Sequence, residues 1–101
     1  MRAKDNDRAL SLLGRAFPNL SQADGLRPFW NPYALSDWAR DPARTEEQRD
    51  CVRFLLTVWD PGRLEHGPLG PFDAMAAITR WDPAQRAVFA AWASDPWWRA
   101  E

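Results

Sequence analysis

The sequence predicts an all-α fold, a single small irregular bundle of about five short helices, and three observations point to it. A proline follows a short residue at Asn31-Pro32, Asp41-Pro42, Gly70-Pro71, Asp82-Pro83 and Asp95-Pro96. Proline suits the first helical position, where its missing N–H would be unpaired and its φ is already helical, and Asn or Asp before it can cap the free amides. Between these marks the apolar residues recur at helical spacing. Finally, seven tryptophans and 46% apolar residues share the chain with 27% charged ones, so the apolar surface must be segregated onto faces.

In chain order, residues 1–4 read as frayed. Asp5 is the candidate cap of a first helix reaching Phe17, with Ala9, Leu12, Leu13 and Ala16 on one stripe and Leu10 beside it. Pro18 ends that helix, and Gly14 weakens it by ~1 kcal/mol relative to alanine. Residues 19–30 read as a loop tacked to the core by Leu20, Leu26, Phe29 and Trp30, with Asp24-Gly25 as a turn. A short second helix follows Asn31-Pro32 to about Arg40. Asp41-Pro42 opens the third and longest, ending near Trp59. Along it Gln48, Cys51, Val52, Leu55, Leu56 and Trp59 share a face, and Phe54 and Val58 add a second apolar edge. Glu46–Arg49 and Asp50–Arg53 read as ordinary three-apart surface pairs.

Residues 60–70 are the clearest loop, rich in glycine and proline. Gly70-Pro71 opens the fourth helix, with Asp73 in its first turn. The fifth runs from Pro83 to Ser94, where Asp82 and Gln85 have the spacing of a capping box. Eight alanines between Ala74 and Ala93 suggest that these two helices meet closely as an αα corner. Asp95-Pro96 offers one more helical turn bearing Trp97, Trp98 and Arg99. The expected core is led by Leu13, Val52, Leu55, Leu56, Ile78, Val88 and Trp92.

One hundred and one residues correspond to one domain, 1–101. Thirteen basic against fourteen acidic residues leave a net charge of −1, so no long-range field selects nucleic acid or an anionic membrane. No apolar run is long enough to span a bilayer. The charged N-terminus does not read as a secretory signal, and a single cysteine suits a reducing compartment, so a cytoplasmic location is expected.

No arrangement in the sequence supports catalysis. Cys51 lies on the apolar face of the longest helix and reads as an inert buried thiol, while His66 lies in the Gly/Pro loop. One cysteine and one histidine are too few for a usual zinc site, and no phosphate-cradling glycine motif is present. No metal and no cofactor are expected. Trp59, Trp81 and Trp92 fall on helical stripes and read as core. Trp97-Trp98 and Phe29-Trp30 differ, because adjacent positions cannot both face one core. An aromatic left at the surface beside arginine has the composition of an interface hot spot. The leading expectation is therefore a non-enzymatic interaction module (an adaptor, an inhibitor or a small subunit, a genre that includes phage and mobile-element proteins). It docks on another protein, or on its own copy, through Phe29, Trp30, Trp97, Trp98 and Arg99. Nucleic-acid binding, through a helix-turn-helix around Trp81-Asp82-Pro83 or by stacking, is the alternative. It is less favoured because acids are interspersed with the arginines throughout.

Overall fold

A computed structural model describes the backbone of residues 3–61 and 69–98 and the side chains of that range from Asn6 onward. Five helices in chain order, α1 (Ala3–Ala16), α2 (Pro32–Ala39), α3 (Glu46–Trp59), α4 (Ala74–Arg80) and α5 (Pro83–Ser94), form a compact bundle, with a 3-10 turn at Pro18–Leu20. The described residues form no strand. Helix α3 is the axis, and α1, α2 and α4 each pack on it.

Two of the marked junctions form as read. Asn31 Oδ1 accepts the Tyr33 and Ala34 N–H groups, both at 3.1 Å, ahead of Pro32. Asp82 and Gln85 make a reciprocal capping box at 2.9 and 3.1 Å ahead of Pro83.

The other junctions differ, each for a local reason. Asp41-Pro42 makes a turn only: Asp41 Oδ1 accepts the Ala43 N–H at 2.9 Å and its carbonyl accepts that of Arg44 at 3.0 Å. Helix α3 starts four residues later, because Thr45 and Gln48 form a complete capping box at 3.1 and 2.8 Å. Gly70 takes a positive φ of 76° and Pro71 stays outside the helix, leaving Asp73 as the cap through the Ala76 N–H. Asp95-Pro96 opens no helix. Asp95 leaves the helical region at φ −149° and ψ 71°, as the clash of a following proline with α backbone favours, and the Trp92 indole N–H donates to the Trp97 carbonyl at 2.8 Å, folding the tail back on α5. At the other end α1 begins at Ala3, so Asp5 lies within the helix rather than at the residue before it.

The core is also rotated relative to the expected one. Val52, Leu55 and Leu56 are buried as expected, whereas Leu13, Val88 and Trp92 are half-buried edges and Ile78 is 37% exposed. Helix α1 turns Asn6, Leu10 and Gly14 inward, in line with Phe17 just after it, and leaves Leu12 outside. Helix α4 puts Ala77 against the core and its neighbour Ile78 outward. The expected alanine corner does not form: Ala84, Ala87, Ala90, Ala91 and Ala93 of α5 are exposed. Instead α5 joins through aromatic rings. Phe54 of α3 is buried and touches Phe17, Phe72, Phe89 and Trp92 at centroid distances of 6.0, 5.5, 5.3 and 5.0 Å.

A buried ionic clamp fastens α4 to α3. Asp50 is 1% exposed and accepts from Arg53 Nη1 at 2.9 Å, Arg80 Nε at 2.8 Å and Arg80 Nη2 at 3.1 Å. Partial burial pushes the Glu46 carboxyl up, but the hydrogen bonds and charges of Arg49 and Arg53 outweigh it and hold the group below its ordinary value. Hydrogen bonds to Asp50, and its charge, raise Arg80 above the usual guanidinium value.

The loop after α1 is ordered by a close approach. Gly25 has φ 89°, and a Cβ there would meet Leu35 N at 2.7 Å and the Asn31 carbonyl oxygen. Both the left-handed φ and the contacts, which are backbone atoms, oppose a side chain. Gly25→Ala is therefore expected to cost at least ~2 kcal/mol in urea unfolding. A loss below ~0.5 kcal/mol would show that this segment is not fixed against α2.

Candidate functional site

A cleft of about 590 Å³ lies between α1 and residues 28–30. Its wall on α1 is Asp7, Arg8, Ser11 and Arg15, and the facing segment supplies Pro28, Phe29 and Trp30. Arg8, Ser11 and Arg15 follow the i, i+3, i+7 spacing of one helical face. The segment is held to that face by Ser11, whose Oγ donates to the Leu26 carbonyl while accepting from Arg15 Nε at 3.1 Å and Nη2 at 2.8 Å. Arg27 Nη1 donates to the Ser21 carbonyl at 2.9 Å, tying the loop back on itself, and the Arg27–Pro28 peptide is cis.

Of the adjacent pair, Trp30 goes in and Phe29 stays out. Trp30 is 8% exposed and its indole N–H is buried with no acceptor among the described residues. Phe29 is 80% exposed, on a segment anchored on both sides by buried Leu26 and Trp30. An anchored loop thus holds out a large apolar ring at a cleft that two arginines also line, a geometry suited to burying that ring against a ligand.

A second cleft of about 270 Å³ is apolar and includes Phe54, Val58, Phe72, Phe89, Trp92 and Trp98 in its lining. Trp98 is 57% exposed at its edge. Trp97 is half-buried against the core, its carbonyl holding Trp92. The five residues expected to form one patch are therefore divided: Phe29 and Trp30 line the first cleft, Trp98 the second, and Arg99 falls outside the described residues. The arginines beside Phe29 are Arg8 and Arg15, neither of which was singled out from the sequence. Their only advance signal was the polar stripe on α1, which has meaning only once residues 28–30 are known to lie against it.

The thiol is unsuited to nucleophilic work. Cys51 is buried, its Sγ donates to Asn19 Oδ1 at 3.5 Å, and burial pushes its pKa up to about 12. Trp59 is half-buried, edge-on to Tyr33 at 6.0 Å, and Trp81 is buried with its N–H on the Glu47 carbonyl at 3.2 Å. His66 lies outside the described residues, among which no three His, Cys, Asp or Glu side chains converge as metal ligands. No helix of the described residues is long and apolar enough to cross a membrane. No family model, curated protein or solved structure matches the chain.

Proposed function

We propose that this protein is a non-enzymatic interaction module that docks another protein at the α1 cleft, with Phe29 as the anchor. The observation that carries the reading is the exposed Phe29 ring on an anchored segment, beside Arg8 and Arg15 in a concave surface. Aromatic and arginine side chains dominate the energetics of protein interfaces, and an anchor held out by a fixed backbone loses little entropy when it is buried. The buried Cys51 thiol, with its raised pKa, is no candidate nucleophile, which is compatible with this reading.

The test compares the wild-type protein, Phe29→Ala and Trp98→Ala as baits in extracts of the native host, followed by binding measurements on whatever is retained. Because Phe29 is exposed, its truncation should leave stability within about 0.5 kcal/mol. It should weaken the captured partner's affinity by at least about tenfold, the cost of losing a hot-spot residue. Trp98→Ala should retain that partner. If Phe29→Ala holds it as tightly as wild type does, the α1 cleft is not the docking surface. Loss of binding in Trp98→Ala alone would move the interface to the apolar cleft.

A further inference from the structure

We infer that the segment seated on Phe29 is an acidic peptide stretch, two carboxylates bracketing apolar residues. This rests on the docking reading above and specifies the chemistry of what docks.

The inference comes from how the arginines are partnered. Arg40, Arg44, Arg49, Arg53 and Arg80 each have a carboxylate within 4.0 Å. Arg8, Arg15, Arg27 and Arg86 have none among the described residues, and of these Arg8 and Arg15 line the cleft together. Arg15 uses Nε and Nη2 on Ser11, which fixes its direction and leaves the remaining edge of the guanidinium open. Asp7, the one acid among the described lining residues, pairs with neither arginine and is left to accept a backbone N–H from a bound chain. The cleft therefore presents two unpaired positive groups against one negative, in a protein whose net charge is −1.

The spacing of the arginines sets the spacing of the ligand. Seven residues of helix separate Arg8 from Arg15 by ~10.5 Å along the axis, on one face. A peptide in the polyproline II form advances ~3.1 Å per residue with three residues per turn, so carboxylates three positions apart share one face and lie ~9.3 Å apart, close to that spacing. The two residues between them flank that face, where an apolar side chain can pack against the exposed Phe29 ring. The fitting sequence is acid–apolar–apolar–acid. Charge-assisted bonds from arginine to carboxylate would fix its register.

An unbiased display library of random dodecapeptides, selected on the intact protein, tests this directly. Selected peptides are expected to carry paired acids around apolar residues. Their binding should fall at least about tenfold in Phe29→Ala and in the double variant Arg8→Glu/Arg15→Glu, and should weaken with added salt. Arg8→Lys/Arg15→Lys keeps both charges and should retain most of the affinity, which separates charge recognition from damage to the Ser11 network; circular dichroism confirms the fold of each variant. Enrichment of neutral or basic peptides that still require Phe29 overturns the acidic inference and leaves the docking reading standing. If no selected peptide depends on Phe29, both fall. A single-stranded oligonucleotide arm is run in parallel. Arg8- and Arg15-dependent binding there, with none to acidic peptides, overturns the inference in favour of a polyanion.

Discussion

Phe54→Ala should be among the most damaging single substitutions in the chain, lowering unfolding free energy by ~3–5 kcal/mol. The ring is fully buried on the central helix and is the common neighbour of Phe17, Phe72, Phe89 and Trp92. Removing it opens a cavity where α3, α5, the residue just after α1 and the segment before α4 meet. Those rings are fixed by different backbones, so they cannot all collapse into the space. In a domain of this size ~1 kcal/mol corresponds to about 4–8 °C, so the midpoint should fall by more than ~12 °C. Phe54→Leu keeps part of the volume and should lose clearly less. The tryptophan emission should shift red, because Trp92 packs edge-on to Phe54 at 5.0 Å. A loss under ~1 kcal/mol for the alanine variant would mean that the aromatic cluster repacks freely and that α5 is held by something else.

Asp50→Ala is expected to cost ~3 kcal/mol, the scale for removing one partner of a buried ion pair. The loss is asymmetric. Arg80 is partly exposed and can turn to water, while Arg53 has only 15% of its side chain exposed and keeps Glu46 and the Leu69 carbonyl. The site should therefore fail as a clamp before it fails as a core. Amide exchange in α4 should accelerate beyond the change in global stability, since Arg80 in its last turn loses both bonds to Asp50. Arg80→Ala, by contrast, leaves Asp50 buried with Arg53 alone, and a double-mutant cycle between the two positions should show strong coupling. If Asp50→Ala costs no more than a surface pair, under ~1 kcal/mol, the carboxylate is better solvated than its burial implies.

Both predictions concern residues that the sequence presented as unexceptional. Asp50 and Arg53 have the spacing of a solvated helical pair, and nothing local marks Asp50 as buried; its second bonding partner, Arg80, is thirty residues away. Phe54 reads as a second edge of α3, because helical periodicity identifies an apolar face without saying which neighbour covers it. Helix α1 shows the same limit. Counting only apolar residues placed its stripe on Leu12 and Ala16, whereas Asn6, Ser11 and Gly14 belong to the buried side. Gly14 lies there because a Cβ would meet Leu55 at 3.2 Å, and Leu26 more closely still. The candidate site was legible only as a statement about pairs: of two adjacent aromatics, one must stay out. Which one, and which arginines stand beside it, followed from the path of residues 26–30 across α1.

The local code settled a good deal unaided. It fixed the helical class, the caps at Asn31 and Asp82, the end of α3 at Trp59 and the burial of Val52, Leu55 and Leu56, because hydrogen bonds and steric limits within four residues decide such features. It failed where two local signals competed, as at Asp41-Pro42 against the Thr45 box. Contacts between distant segments chose the rest: the roll of α1, the aromatic hub at Phe54, the outward alanines of α5, the clamp at Asp50 and the Phe29 cleft. Each depends on which of several acceptable faces meets another, and the free energy of that choice belongs to the pair of surfaces rather than to either segment alone.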